Sequence, residues 1–306
     1  MKKYLIALFA LLIVTQCNAC PFCGCGGGNL YLGILPDYKT QFFSLHYSYA
    51  EYHTVLFNDT SQHSKNYYNT IELSYGVHIT PKLQLLAFVP YRLNKQIDDD
   101  GTTTSNGLGD LNILAQYEVL NTTHYTAAHS LVQNQLWLGG GVKLPTGVFG
   151  LNVYDTTTTL ADINAQLGTG SIDFMLNGLY SLRLGSFGVN INATYKINTA
   201  HQGVRFGDKL SSNAIAYYHF KTGKQSGISP TLGFGYEHVA TSTLPEVMKV
   251  YVPYTNSETL TGSLGVEYSV KGVGFGINGQ LPLQENYAGG QTQMKFKGMA
   301  HITFSL

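Results

Sequence analysis

The chain has 306 residues, of which only 12 % are charged, about half the share usual in soluble domains. Lys+Arg and Asp+Glu number 18 each, so the formal net charge is zero and no basic surplus points to nucleic acid. With 34 Gly, 22 Tyr and 15 Phe it is not a charge-rich disordered chain, and beyond the N-terminus it lacks the apolar runs of about 20 residues that a helical membrane protein needs.

The first element is an address. Lys2 and Lys3 precede an apolar stretch from Leu5 to Val14, and Gln16-Cys17-Asn18-Ala19 comes after it. Short positive, apolar and small-residue regions in that order form a secretory signal peptide, too short to span a bilayer. Cleavage is expected after Ala19, so residues 1–19 are the signal peptide. Removing Lys2 and Lys3 leaves 16 basic against 18 acidic residues, a net charge near −2.

Next come Cys20-Pro21-Phe22-Cys23-Gly24-Cys25 and three further glycines. Three thiols at C-x2-C-x-C spacing suit a thiophilic ion such as Cu(I) or Zn(II), with Cys20, Cys23 and Cys25 as ligands. An odd number of thiols in an oxidising compartment equally suits one disulfide with one thiol left over. A Cys directly after the cut also suits lipid attachment, although Cys17 is a poor match for the residue expected three places before it. Residues 20–37 are expected to lie in the periplasm or to plug the lumen of a barrel formed by residues 38–306.

From residue 38 to 306 the sequence is written in period two. Phe43, Leu45, Tyr47 and Tyr49 alternate with Phe42, Ser44, His46 and Ser48. Ile71, Leu73, Tyr75 and Val77 alternate with Glu72, Ser74 and Gly76. Alternation over such lengths predicts strands with two unlike faces. Strands are expected at 39–53, 67–79, 82–94, 107–120, 131–144, 166–183, 186–198, 208–220, 227–240, 258–270, 272–284 and 292–306. An even number of such strands, joined alternately by short turns and longer polar loops, predicts an all-β fold: a transmembrane antiparallel up-and-down β-barrel of about 12 strands. Both termini then fall on the periplasmic side of a Gram-negative outer membrane. A soluble sandwich or lipocalin-like barrel would have to bring all these apolar faces onto one core, which a chain of this length cannot do.

If the apolar face meets lipid, the other face lines the lumen. Parity places the acids Glu72, Asp110, Glu118, Asp173, Glu237 and Glu267 there, with the bases Arg92, Lys143, Arg183, Lys196, Lys295 and Lys297. Six against six suggests pairs across a narrow lumen rather than a pore selective for one sign of ion. His46, His78, His301 and Trp137 also point inward. The three histidines fall on strands that neighbour one another around the closing seam, which would allow a metal site as well as an ordinary polar lining.

Gly107-Leu108-Gly109-Asp110 and Gly168-Thr169-Gly170-Ser171 are Gly-rich, but neither lies between a strand and a helix as a phosphate cradle requires. No G-x-S-x-G elbow is present. An enzymatic activity is therefore not expected, nor is a catalytic residue or a resident cofactor beyond a metal at the cysteines.

Three motifs carry a resemblance. Gly107-Leu-Gly-Asp-Leu-Asn-Ile-Leu-Ala-Gln-Tyr, Gly140-Gly-Val-Lys-Leu-Pro-Thr-Gly and Gln166-Leu-Gly-Thr-Gly-Ser-Ile-Asp resemble the outer-membrane barrels named for the meta-pathway of phenol degradation, often called simply transporters. The motif order covers roughly residues 70–306, and the Cys-Pro-Phe-Cys-Gly-Cys-Gly-Gly-Gly run looks like a subgroup trait. The resemblance implies a β-barrel and uptake of small, hydrophobic or aromatic molecules. The expected partners are outer-membrane lipid and a small solute. Two other functions fit the residues: a barrel that anchors a copper-handling or redox-linked Cys-rich tail, and a structural or adhesive barrel.

Overall fold

The computed structural model describes residues 41–55, 63–99, 101–125, 131–150, 166–245 and 255–306. The signal peptide, the cysteine run and the whole segment 20–37 expected from the sequence lie outside the described residues.

The strands are β1 (Phe42–Val55), β2 (His63–Thr80), β3 (Leu83–Asp98), β4 (Gly101–Leu108), β5 (Leu111–Tyr125), β6 (Leu131–Leu144), β7 (Asp173–Leu184) and β8 (Phe187–Ile197). After a small hairpin, β9 (Ala200–His201) and β10 (Val204–Arg205), come β11 (Lys209–Tyr218), β12 (Phe220–Gly223), β13 (Ser226–Val239), β14 (Ser257–Val270), β15 (Val273–Tyr287) and β16 (Thr292–Ser305). Neighbours around the wall pair antiparallel, β3 with both β4 and β5; β1 pairs with β16, and β11 with both β8 and β13, so the sheet closes on itself. β4 with β5, and β11 with β12, each fill one position in the wall. The result is the twelve-stranded barrel that the alternation predicts.

Local chemistry explains the turns. At one end Thr80 Oγ1 accepts the N–H groups of Lys82 and Leu83 at 3.3 and 3.0 Å, closing the β2–β3 turn. Lys271 and Gly272 both take positive φ, 48° and 82°, the backbone that joins two right-twisted strands with two residues. At the other end the expected loop 95–106 is instead a continued hairpin. Asp98 Oδ1 accepts the Gly101 N–H at 3.0 Å, and β3 and β4 stay paired from Tyr91↔Leu108 to Asp98↔Gly101. Residues 166–172 precede β7 rather than belonging to it, because their polar groups are drawn inward to Asp110 and Asp173. The expected strand 208–220 breaks at His219, whose ring holds Ser229 Oγ at 3.0 Å.

The two faces differ as the alternation requires. Phe43, Leu45, Tyr47, Leu73, Phe174, Leu176, Phe234, Leu264, Ile277 and Phe304 stand exposed on the outside of the wall. So wide a band of exposed large apolar side chains suits hydrocarbon, and a closed barrel satisfies its own backbone there.

The inner face is less polar than expected. Phe42, Leu86, Phe88, Leu114, Trp137 and Leu179 form a buried apolar cluster inside the barrel. A second cluster joins Tyr52, Tyr287 and Met294, with Ala50 and Tyr68 packed against it. Each large side chain removed from water contributes about 1.5–3 kcal/mol, so these layers brace the wall from within.

The wall is irregular where β15 meets β16. The β15–β16 register jumps from Gln280↔Lys297 to Tyr287↔Thr292, so residues 281–286 lie against only 293–296. Pro282 falls in this stretch and lacks an N–H to donate. Glu285 Oε2 instead accepts the Met294 N–H at 2.9 Å. On the other side of β16, partners step from Glu51↔Phe296 to Tyr52↔Met294, so residue 295 is a bulge.

Candidate functional site: the barrel lumen

The three resemblance motifs meet in one buried node at the long-loop end. Lys143, at the end of β6, holds Asp110 at 2.8 Å and Asp173 at 2.6 Å. All three side chains are nearly inaccessible. Asp110 also accepts the N–H of Gly147 at 3.0 Å and of Thr169 at 2.9 Å. Thr169 hydroxyl meets the Lys143 ammonium and lies 3.0 Å from Ser171 Oγ, which donates to Asp173 at 2.8 Å. Asp173 further accepts the Thr199 N–H at 2.9 Å. The close approach explains two glycines: a Cβ at Gly168 would lie 2.5 Å from Asp110 Oδ1, and one at Gly147 2.7 Å from the Leu167 carbonyl. Arg92 Nη1 donates to the Gln166 carbonyl at 3.1 Å and draws that segment inward. The node thus pins both ends of the 145–172 connection inside the barrel mouth.

Around the wall the charges are arranged otherwise. Lys196 and Lys209 face each other across β8 and β11, and Lys209 pairs with Glu237 at 2.8 Å. Lys196, Lys209 and Lys297 all act electrostatically on Glu237. Lys297 makes no hydrogen bond or close ion pair with a described residue. It sits opposite Ala50, beside the tyrosine layer. There Tyr52 meets Tyr287 edge-on at 5.6 Å and Tyr68 at 5.9 Å.

Nearer the short turns, Glu72, His46, His301, Gly276 and Glu267 are in register with one another across β2, β1, β16, β15 and β14. The His46 and His301 rings are 5.4 Å apart, and His301 Nε2 is 3.4 Å from Glu267. His46 holds Ser44 Oγ at 2.7 Å. Glu72 feels the Arg92 charge. His78 does not join this row; its ring packs edge-on against Trp137 at 5.9 Å. Among the described residues no group of three or more His, Cys, Asp or Glu is placed to hold a metal ion. The candidate ligands Cys20, Cys23 and Cys25 lie outside the described residues.

Side-chain amides complete the lining. Gln84 donates to Gln116 at 2.6 Å, Gln116 to Asn177, and Asn177 to Asn192 at 3.2 Å and Thr194 at 2.8 Å. Here the uncharged polar residues of the composition find their use. Glu118, buried, accepts from Asn121, and Arg183 donates to the Gly185 carbonyl at 3.0 Å.

Lys295 departs from its expected place. The bulge adds one residue on β16, so Met294 and Lys297 keep the inner face while Lys295 is exposed and bonded to Gln293 at 2.8 Å. Parity along the strands also passes over Lys209 and the inward apolar residues. Their signal is apolar side chains at both parities, as in Leu85-Leu86-Ala87-Phe88-Val89 and Phe42-Phe43.

No family model matches the chain, and no curated protein is significantly similar to it. The likeness to the phenol-pathway barrels therefore rests on the three quoted motifs. Solved structures do match. The COG4313 outer membrane channel from Pseudomonas putida F1 superposes with a TM-score of 0.56 at 12 % identity, over 90 % of this chain and 100 % of that one. The transport unit of the autotransporter AIDA-I from Escherichia coli gives 0.44 at 10 % identity, over 91 % and 95 % of the two chains. The translocator domain of NalP from Neisseria meningitidis gives 0.40 at 8 % identity, over 89 % and 90 %. At these identities the first match shows a shared fold.

Proposed function

We propose that the chain is an outer-membrane channel of a Gram-negative bacterium that passes a small apolar or aromatic solute. One observation carries the reading: the interior of the barrel holds an apolar layer, Phe42, Leu86, Phe88, Leu114, Trp137 and Leu179, within a wall whose outside suits lipid. Water and ions cross such a layer poorly, because a charge loses its hydration there without gaining partners. A small apolar or aromatic molecule loses little on entering it. The match to a channel barrel supports this role, as does the lack of a one-sign ring of charge among the described residues.

The test is solute flux. Purified protein in liposomes should admit benzyl alcohol or toluene faster than glucose or glycine, and planar bilayers should show small single-channel currents. A large open conductance with brisk sugar permeation would refute it. The barrel-anchored copper or redox reading has its own measurement. Copper and zinc content are compared between wild type and the triple variant Cys20→Ser, Cys23→Ser, Cys25→Ser, and equal content excludes metal at these thiols.

A further inference from the structure

We propose that the lumen beside β1 and β16 contains a subsite for a small aromatic anion, with its carboxylate on Lys297 and its ring against Tyr52 and Tyr287. The proposal rests on the channel reading and adds to it an anion-binding site beside the tyrosine cluster, outside the apolar layer.

The first argument is charge. Lys196, Lys209 and Lys297 all act on one carboxylate, Glu237, and Lys209 pairs with it directly at 2.8 Å. Glu285, beside Tyr287, accepts the Met294 N–H at 2.9 Å and faces the charge of Lys295 rather than Lys297. Lys297 is left with no hydrogen bond or close ion pair among the described residues. An ammonium drawn away from bulk water without a direct partner is unfavourable, and an anion entering the lumen would supply that partner.

The second argument is the surface beside it. Lys297 lies opposite Ala50, which packs against Tyr52, Tyr287 and Met294. These tyrosines already meet edge to face, at 5.6 Å and 81°. A flat ring can join such a layer with favourable edge or offset contacts. Charge and aromatic surface side by side fit an aromatic carboxylate better than a neutral arene or an aromatic cation.

The experiment measures binding apart from transport. Radiolabelled benzoate is dialysed to equilibrium against the full chain in detergent micelles, with benzyl alcohol as the neutral analogue of similar shape. Saturable benzoate binding is expected, with benzyl alcohol at least about tenfold weaker. Lys297→Gln should lose about tenfold in benzoate affinity and leave benzyl alcohol unchanged, while Lys297→Arg should retain most of it. Heat-modifiable gel mobility checks that each variant forms the barrel. Should Lys297→Gln fail to fold, the comparison of benzoate with benzyl alcohol on wild type still decides. Equal binding of the two compounds, or benzoate affinity unmoved in a folded Lys297→Gln, would overturn the subsite. The same preparations in liposomes separate the two readings. Benzoate bound but no solute transported would refute the channel and keep the subsite; neutral arenes transported with no benzoate binding would do the reverse.

Discussion

Two charged regions of the lumen use the same residue types to opposite ends. In the β5–β7 node one lysine sits between two aspartates, each within 3 Å, and both carboxylates are further supplied by hydroxyls or backbone N–H groups. Across β8, β11, β13 and β16 three lysines act on Glu237, and of them Lys297 feels that charge but makes no close ion pair with a described residue. The first arrangement is saturated and fixes a loop. The second is unsaturated and is poised to receive something. The balance of six acids against six bases expected from the sequence hides this difference; what matters is how each charge is partnered where it lies.

Breaking the saturated node should have the largest effect. Lys143→Met leaves Asp110 and Asp173 buried without their counter-charge, which costs about 3–5 kcal/mol. Residues 145–150 and 166–172 should come loose from the mouth. The thermal transition should fall, and single-channel current should rise several-fold. An unchanged current would show that the node does not restrict the mouth.

Opening the apolar layer comes next. Trp137→Ala removes a side chain with no exposed surface, at a cost of about 3–5 kcal/mol where the cavity does not collapse. Ion conductance should increase while entry of arenes changes little, so their preference over sugars narrows. Retained preference would place the selective step elsewhere.

The lysine group should respond more mildly. Lys209 and Glu237 are part-exposed, so Lys209→Gln should cost on the order of 1 kcal/mol or less. Its readout is the reversal potential in a salt gradient, which should move toward cations. A move toward anions would contradict the lysine-rich description. The smallest effect belongs to Lys295→Ala, which should stay within about 0.5 kcal/mol and leave selectivity untouched because the side chain is off the inner face. A selectivity shift there would return Lys295 to the lumen.

The wall was legible in the sequence because its rule is local. Each strand carries its own alternation, and Thr80-Pro81 or Lys271-Gly272 announces its own turn. The node was half legible. Its three motifs stood out as Gly-rich segments, yet only closure of the sheet shows that Asp110, Lys143, Thr169 and Asp173 converge. The inner apolar layers were not legible. Within a strand, Phe88 or Tyr52 at an inward position looks like a lapse in the alternation, and its meaning comes from partners on distant strands. Lys295 was misplaced for a different reason: one extra residue in a strand inverts parity, and nothing in Gln293-Met294-Lys295-Phe296 marks the insertion.

Trp137 is the chain's only tryptophan, and it stands in the apolar layer with its whole surface covered. The molecule therefore carries one tryptophan fluorophore at the place where the channel reading requires dryness. Its emission should be blue-edged and shielded from acrylamide in the resting barrel. Any solute, variant or voltage that wets the layer should shift it to the red, so opening can be followed by light in unlabelled protein, without measuring a current.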